Sequence, residues 1–188
     1  MAKYLIVYGT KEGHTAKIAQ RIADTITKGG NNADVYDAKK APTTLSVDGY
    51  TGVLVGSSIH AGQWSSAVRN FVRKNQSAMD GIPSAFFSVS LAATGKDTTR
   101  LNSQVESFFK ATGWHPKTVE NFAGCLAYTK YGFIMRFLMA QGARFQSQPT
   151  DTSKDHEFTN WDEVTQFATR FVEQSQRGPP PETATSGD

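Results

Sequence analysis

The 188-residue chain is predicted to be an α/β protein, a doubly wound, five-stranded parallel sheet of order 2-1-3-4-5 with helices on both faces. Three observations predict it. Short apolar runs alternate with amphipathic helical patterns, as βαβ units require. The third run, Val53-Leu54-Val55, is apolar throughout, as strands buried on both faces tend to be. Polar loops rich in Gly, Ser and Thr follow the first, third and fourth runs, where such a sheet forms its ligand crevice beside the switch point. Right-handed crossovers, with the first strand near the centre, supply the strand order.

The first run, 4–8, ends at Gly9. The loop Thr10-Lys11-Glu12-Gly13-His14-Thr15 then opens a helix that places Ile18, Ala19, Ile22, Ala23 and Ile26 on one face. That helix should reach about Lys28 and stop at Gly29-Gly30. Residues 33–36 form a second strand and 39–48 a loop. Val53-Leu54-Val55 is the third strand, and 56–64 the polar loop after it. A second helix turns Ala67, Val68, Phe71 and Val72 inward. Pro83 precedes a fourth strand, 84–89, which closes in Ser90-Leu91-Ala92. A third helix starts near Asp97-Thr98, buries Leu101, Val105, Phe108 and Phe109, and stops at Gly113. The fifth strand is expected over 119–126. The last helix opens with a capping box of Asn160 and Glu163 and buries Val164, Phe167, Ala168 and Phe171. One domain is expected over 1–175, with an insertion at about 127–150. The Pro- and Gly-rich stretch 176–188 is expected to be disordered.

Composition sets bounds on function. Hydrophobic residues at 38% and charged residues at 20% suit a globular protein with a real core. The single cysteine, Cys125, permits no internal disulfide, fits a reducing cytosol and reads as a small core residue. No secretory leader and no apolar run of membrane-spanning length is visible, so a cytoplasmic location is expected. A net charge of +3 points towards an anionic surface or substrate rather than a basic docking partner. His14, His60, His115 and His156 lack metal-ligand spacing, so no metal is expected. No helix-turn-helix or basic stripe calls for nucleic acid.

The loop 10–15 carries the chemistry. A strand, a tight turn and a helix N-terminus leave backbone N–H groups unpaired and aimed at one point, and the helix dipole favours an anion there. Gly13 lets the backbone approach closely, and Thr10 and Thr15 add hydroxyl donors. The inferred ligand is a phosphate; the plain alternative is an ordinary βα turn. A Walker loop would need Gly-Lys-Ser/Thr, and the dinucleotide fingerprint three glycines; neither is present. The pattern Thr-x-x-Gly-x-Thr instead resembles the FMN phosphate loop of flavodoxins.

The resemblance extends along the chain. Ser57-Ser58-Ile59-His60-Ala61-Gly62, the stretches 83–91 and 122–128, Arg136-Phe137-Leu138-Met139, 149–154 and Thr159-Asn160-Trp161 are similar to segments of the menaquinone-dependent protoporphyrinogen oxidases, from about Tyr4 to Phe171. That family is a flavodoxin-fold group of FMN enzymes that oxidise protoporphyrinogen IX and pass electrons to a membrane quinone. The resemblance implies FMN held by Thr10, Lys11, Glu12, Gly13, His14 and Thr15 at the phosphate. It implies Ser57, Ser58, Ile59, His60, Ala61 and Gly62 on one side of the ring, with Ser88, Val89, Ser90, Leu91 and Ala92 on the other and Gly124 nearby. Trp64 would either stack on the ring or pack at the start of the second helix. The family usually has Arg where this chain has His60, and an aromatic residue where it has Ala61. His60 is the candidate catalytic residue, stabilising negative charge on the reduced flavin only when protonated, unless it is a loop imidazole bonded to backbone.

The segment 127–150 looks like the insertion that marks these oxidases. Lys130, Arg136 and Arg144 accompany Phe133 and Phe137, with no carboxylate before Asp151. A basic, aromatic helix would suit either an anionic membrane surface or a carboxylated porphyrin; the alternative is a core-packing helix. The reading is therefore an FMN-dependent oxidoreductase with a quinone and a small-molecule reductant as partners, peripheral to the membrane. A flavodoxin-type electron carrier and an NAD(P)H:quinone reductase on the same fold are the alternatives.

Overall fold

A computed structural model describes residues 1–60, 62–94, 98–126 and 153–177. The elements run β1 (Lys3–Gly9), α1 (His14–Lys28), β2 (Asn32–Asp37), β3 (Gly52–Ser58), α2 (Ser66–Asp80), β4 (Ser84–Ser90), a 3-10 turn (Leu91–Thr94), α3 (Thr99–Thr112), β5 (Thr118–Ala123), β6 (Cys125–Leu126), β7 (His156–Glu157) and α4 (Trp161–Gln176). The sheet order is β2-β1-β3-β4-β5, every pairing parallel. The expected architecture is the observed one.

Alternation along the central strands divides the interior into two cores. Tyr4, Ile6, Leu54, Ala85, Phe87 and Phe122 face α1 and α4, meeting Ile18, Ile22, Phe167 and Phe171. Leu5, Val7, Val53, Val55 and Phe86 face α2 and α3, meeting Val68, Val72, Val105, Phe108 and Trp114. The Phe86 ring is stacked on Phe108 with centroids 4.8 Å apart, and meets Trp64, Phe109 and Trp114 edge-on.

Helix ends follow the sequence signals. α1 stops at Gly29, with Gly30 at φ 81, and α3 at Gly113 with φ 74. Asn160 Oδ1 accepts from the backbone N–H of Asp162 and Glu163 and caps α4. Two strands end elsewhere than expected. The strand β3 continues through Gly56, Ser57 and Ser58, because β1 and β4 pair with it on both sides up to Gly9 and Val89. Small residues were needed there for packing: a Cβ on Gly56 would lie 2.0 Å from Phe87 Cζ. The fifth strand is shorter than 119–126 and breaks at Gly124. Its N–H donates to Ser90 O, and its carbonyl accepts from Phe158 N–H. Cys125 and Leu126 then leave the sheet for an antiparallel pairing with Glu157 and His156, so Cys125 is half-buried in a two-stranded ladder rather than in the core. Ala67 is likewise only half-buried. The expected insertion at 127–150, with Lys130, Phe133, Arg136, Phe137 and Arg144, lies outside the described residues, as does most of the tail 176–188. Among the described residues no helix is long and apolar enough to cross a membrane.

Candidate functional site

The crevice opens where β1, β3 and β4 end. At Gly9 the backbone of β1 passes so close to α2 that a Cβ would lie 2.6 Å from Ser65 Cβ and 2.7 Å from Val68 Cγ2. The chain then turns through Thr10, whose Oγ1 accepts from Gly13 N–H at 2.9 Å and closes the loop. Gly13 is the N-cap of α1 and has φ 94, a left-handed conformation that disfavours side chains. No side chain caps α1, and its first turn holds no acid, so the positive end of its dipole is not neutralised from within the helix. Thr15 is 1% exposed, and its Oγ1 has no hydrogen-bond partner among the described residues. A buried orphan hydroxyl beside an uncapped helix N-terminus fits a phosphate oxygen, which would supply the missing acceptor. Lys11 is exposed at the lip.

The second wall follows β3. Ile59 N–H donates to Val89 O and continues the ladder past Ser58. His60 and Gln63 exchange two backbone hydrogen bonds, at 3.0 and 2.9 Å, around Gly62 with φ 76. This turn fixes the backbone from which the His60 side chain projects. His60 Nδ1 lies 3.2 Å from Glu12 Oε1, an ion-pair contact when the imidazole is protonated, so the two walls touch through side chains. Ala61 lies outside the described residues.

Several expected ring contacts prove to be floor rather than lining. Ser57, Ser88 and Val89 are buried in the sheet. Ser57 Oγ accepts from Ser65 N–H at 3.4 Å, and Ser88 Oγ donates to Asn121 Oδ1 at 2.6 Å. The half-buried or exposed positions at the mouth are Ser58, Ile59, His60, Gly62, Leu91 and Ala92. Ser90 Oγ is a second buried hydroxyl without a partner, and Ser65 Oγ a third. Buried Gly124 bonds to Ser90 O behind them. Trp64 is half-buried on Phe86 and Phe108, with ring centroids 5.5 and 5.3 Å away, and its Nε1–H donates to Gln104 O at 3.1 Å. Those contacts are packing at the start of α2.

The His14 side chain turns away from the loop it belongs to. Thr159 Oγ1 gives its one proton to Ala123 O at 2.7 Å, so it accepts from His14 Nε2–H at 2.5 Å. Across the ring, His14 Nδ1 is 3.6 Å from Glu157 Oε2, and Lys17 Nζ is 3.4 Å from the same oxygen. Trp161 Nε1–H donates to Glu157 Oε1 at 2.8 Å. His14 can therefore serve an anion through its backbone, while its side chain pins the loop to β7 and α4.

Sequence reasoning missed Ser65, Asn121, Glu157 and Thr159. Asn121 carried a signal, a polar residue inside an apolar strand; Ser65 carried a weaker one, a capping residue type just before a helix. Glu157 and Thr159 carried none, because the α1 residues they meet, Lys17 and His14, lie 140 or more residues away. Hydrogen bonds from Lys3 and Tyr50 hold the Asp34 carboxyl below its ordinary range, while burial and the same carboxylate push Tyr50 up.

The flavodoxin-domain family matches residues 5–153. The chain belongs to that family. The protoporphyrinogen IX dehydrogenase [quinone] of Leishmania major is 35% identical over 90% of this chain and 74% of its own length. The Escherichia coli K12 protein of the same name is 33% identical over 88% of this chain and 92% of its own length. Among solved structures, oxidised flavodoxin 1 from Bacillus cereus superposes with a TM-score of 0.56 at 17% identity, covering 92% of this chain and 98% of that one. The last comparison bears on the fold alone. Membership of the flavodoxin family, with oxidoreductases at this identity and coverage, makes the chain a flavin oxidoreductase.

Proposed function

We propose that the chain is an FMN-dependent dehydrogenase that takes electrons from protoporphyrinogen IX and delivers them to a quinone. The observation that carries the cofactor assignment is the orphan Thr15 hydroxyl, buried beside the uncapped N-terminus of α1. A phosphate monoester satisfies both, which selects the mononucleotide over riboflavin. The substrate and acceptor are supported by the names of the two dehydrogenases that match nearly all of the chain.

Bound FMN supplies the electron-accepting chemistry. The chain's part is binding, orientation and electrostatics. Backbone N–H groups of His14 and Thr15, with the Thr10 and Thr15 hydroxyls nearby, would hold the phosphate; Ser58, Ile59, Gly62, Leu91 and Ala92 would border the isoalloxazine, and Ser90 would offer it a hydroxyl. His60, when protonated, puts positive charge at the ring end, where negative charge grows on reduction. Lys130, Phe133, Arg136, Phe137 and Arg144 supply positive charge and aromatic side chains that suit a carboxylated porphyrin or an anionic bilayer that holds the quinone. The protein works at the cytoplasmic face of that membrane.

The test is anaerobic. Protein loaded with FMN should lose its visible flavin absorbance on mixing with protoporphyrinogen IX and regain it on adding menaquinone. Unchanged absorbance with the porphyrinogen would overturn the substrate assignment. A colourless protein that gives no heat with FMN would overturn the cofactor.

A further inference from the structure

The phosphate cradle is a helix start, so its amides meet one point only while the first turn of α1 keeps its place. Gly13 joins the loop to that turn, and a glycine restrains its own backbone least. Restraint comes from residues 157–161, far along the chain. His14, the first residue of α1, is 9% exposed and gives its Nε2–H to Thr159 Oγ1 at 2.5 Å. Thr159 is anchored in turn at the end of β5. Its hydroxyl donates to Ala123 O at 2.7 Å, and the preceding Phe158 N–H donates to Gly124 O at 3.1 Å. Two further contacts follow along α1. Lys17 Nζ lies 3.4 Å from Glu157 Oε2, and the Arg21 guanidinium lies over the Trp161 ring, 5.1 Å from its centroid. The His14 ring meets the same indole, with centroids 6.0 Å apart. The exposed ion pair contributes little in water, whereas the part-buried Thr159 hydroxyl is donor and acceptor at once. It joins the start of α1 to the end of β5.

We infer that Thr159 is a positioning residue of the phosphate site, acting through His14 to fix the helix start whose His14 and Thr15 amides meet the phosphate. This rests on the FMN reading and adds to it a support drawn from the opposite end of the chain. A support already in place spares the nucleotide the ordering it would otherwise have to impose. The coupling runs both ways, because linkage between two sites is reciprocal. A phosphate seated on α1 therefore tightens residues 157–161 and the pairing of Glu157 with Cys125 beside them. Riboflavin, lacking the phosphate, leaves that bracket as it is.

The first measurement needs no variant. Amide hydrogen exchange is followed in the wild-type protein alone and with FMN, riboflavin or inorganic phosphate in excess. The Phe158 N–H, bonded to Gly124 O, should exchange about fivefold more slowly with FMN or phosphate than with riboflavin or no ligand. Equal exchange in all four samples would overturn the coupling. The second measurement compares the Kd of FMN and of riboflavin by calorimetry at one pH, with circular dichroism to check each fold. Thr159→Val keeps the side chain's shape and deletes both of its bonds; it should bind FMN about fivefold more weakly, the scale of one lost hydrogen bond, with riboflavin unchanged. Thr159→Ser, which keeps both bonds, should match wild type. His14→Phe leaves a ring against Trp161 and should cost FMN the same factor, with little further loss when Thr159→Val is added to it. Riboflavin affinity that falls in step with FMN, or FMN affinity that does not fall, would overturn the inference while leaving the FMN site standing. Should Thr159→Val fail to fold, the exchange measurement and His14→Phe decide. A wild-type protein that binds no FMN would overturn the FMN reading and this inference together.

Discussion

Each central strand has two halves with different chemistry on one continuous ladder. In the body of the sheet, Leu5, Ile6, Val7, Val53, Leu54, Val55, Phe86 and Phe87 are wholly buried among branched and aromatic neighbours. One turn of pleat further on, the same strands carry Gly9, Gly56, Ser57, Ser88 and Ser90, with no break in pairing. The body has its apolar surface covered from both faces. The carboxyl edge keeps three buried hydroxyl oxygens, of Thr15, Ser65 and Ser90, without partners. A native protein tolerates such orphans when a ligand completes them. The contrast shows stability concentrated at one end of the strands and recognition at the other, in the same few residues of sequence.

Substitutions should separate the two ends. The largest effect is expected in the body. Phe86→Ala removes a ring packed by four aromatic neighbours and should cost about 3–5 kcal/mol of unfolding free energy in a urea titration. At the edge the sign should reverse. Thr15→Val preserves shape but deletes an unpartnered buried hydroxyl, so the apo protein should melt no earlier than wild type. Its FMN affinity should fall by about tenfold or more, the scale of a lost hydrogen bond to a charged group. A variant that lost stability and affinity together would blur the distinction between the two ends.

The smallest effect is expected at the far side of the sheet, where Lys3 Nζ lies 2.8 Å from Asp34 Oδ2 and Tyr50 Oη–H donates to the same oxygen at 2.6 Å. These partners depress the Asp34 pKa, so their stabilisation is present above the ordinary aspartate range and is lost as pH falls through the folded value. Asp34→Asn should therefore be less stable than wild type by about 0.5–1 kcal/mol near neutrality, as expected for a partly exposed pair. That difference should close in melts recorded in acid, below the ordinary aspartate pKa of about 4. FMN affinity should not follow it.

Legibility in the sequence divided along the same line. The body announced itself through apolar runs, amphipathic spacing and end signals such as Gly29, Gly113 and Asn160, all local in the chain. The turn through 10–13 was equally local, since Thr10 and Gly13 bond within three residues. The ring wall was not. Gly56-Ser57-Ser58 looks like loop by composition, and only partners on both sides make it strand. Ala123-Gly124-Cys125 cannot reveal that the chain changes sheets. His60 meets Glu12, and His14 meets Thr159, across separations for which no periodicity exists. Nor does a sequence show that the Ser57 and Ser88 hydroxyls are spent inside the sheet.

The short ladder of Cys125 and Leu126 with Glu157 and His156 has a consequence for how this chain can vary. It sets the chain on the two sides of residues 127–152 side by side in one antiparallel pairing. Closing a loop whose ends are already neighbours costs little more as the loop lengthens, since each doubling adds only about 0.6 kcal/mol of closure entropy. Insertions or deletions between those two points should therefore disturb the five-stranded sheet least.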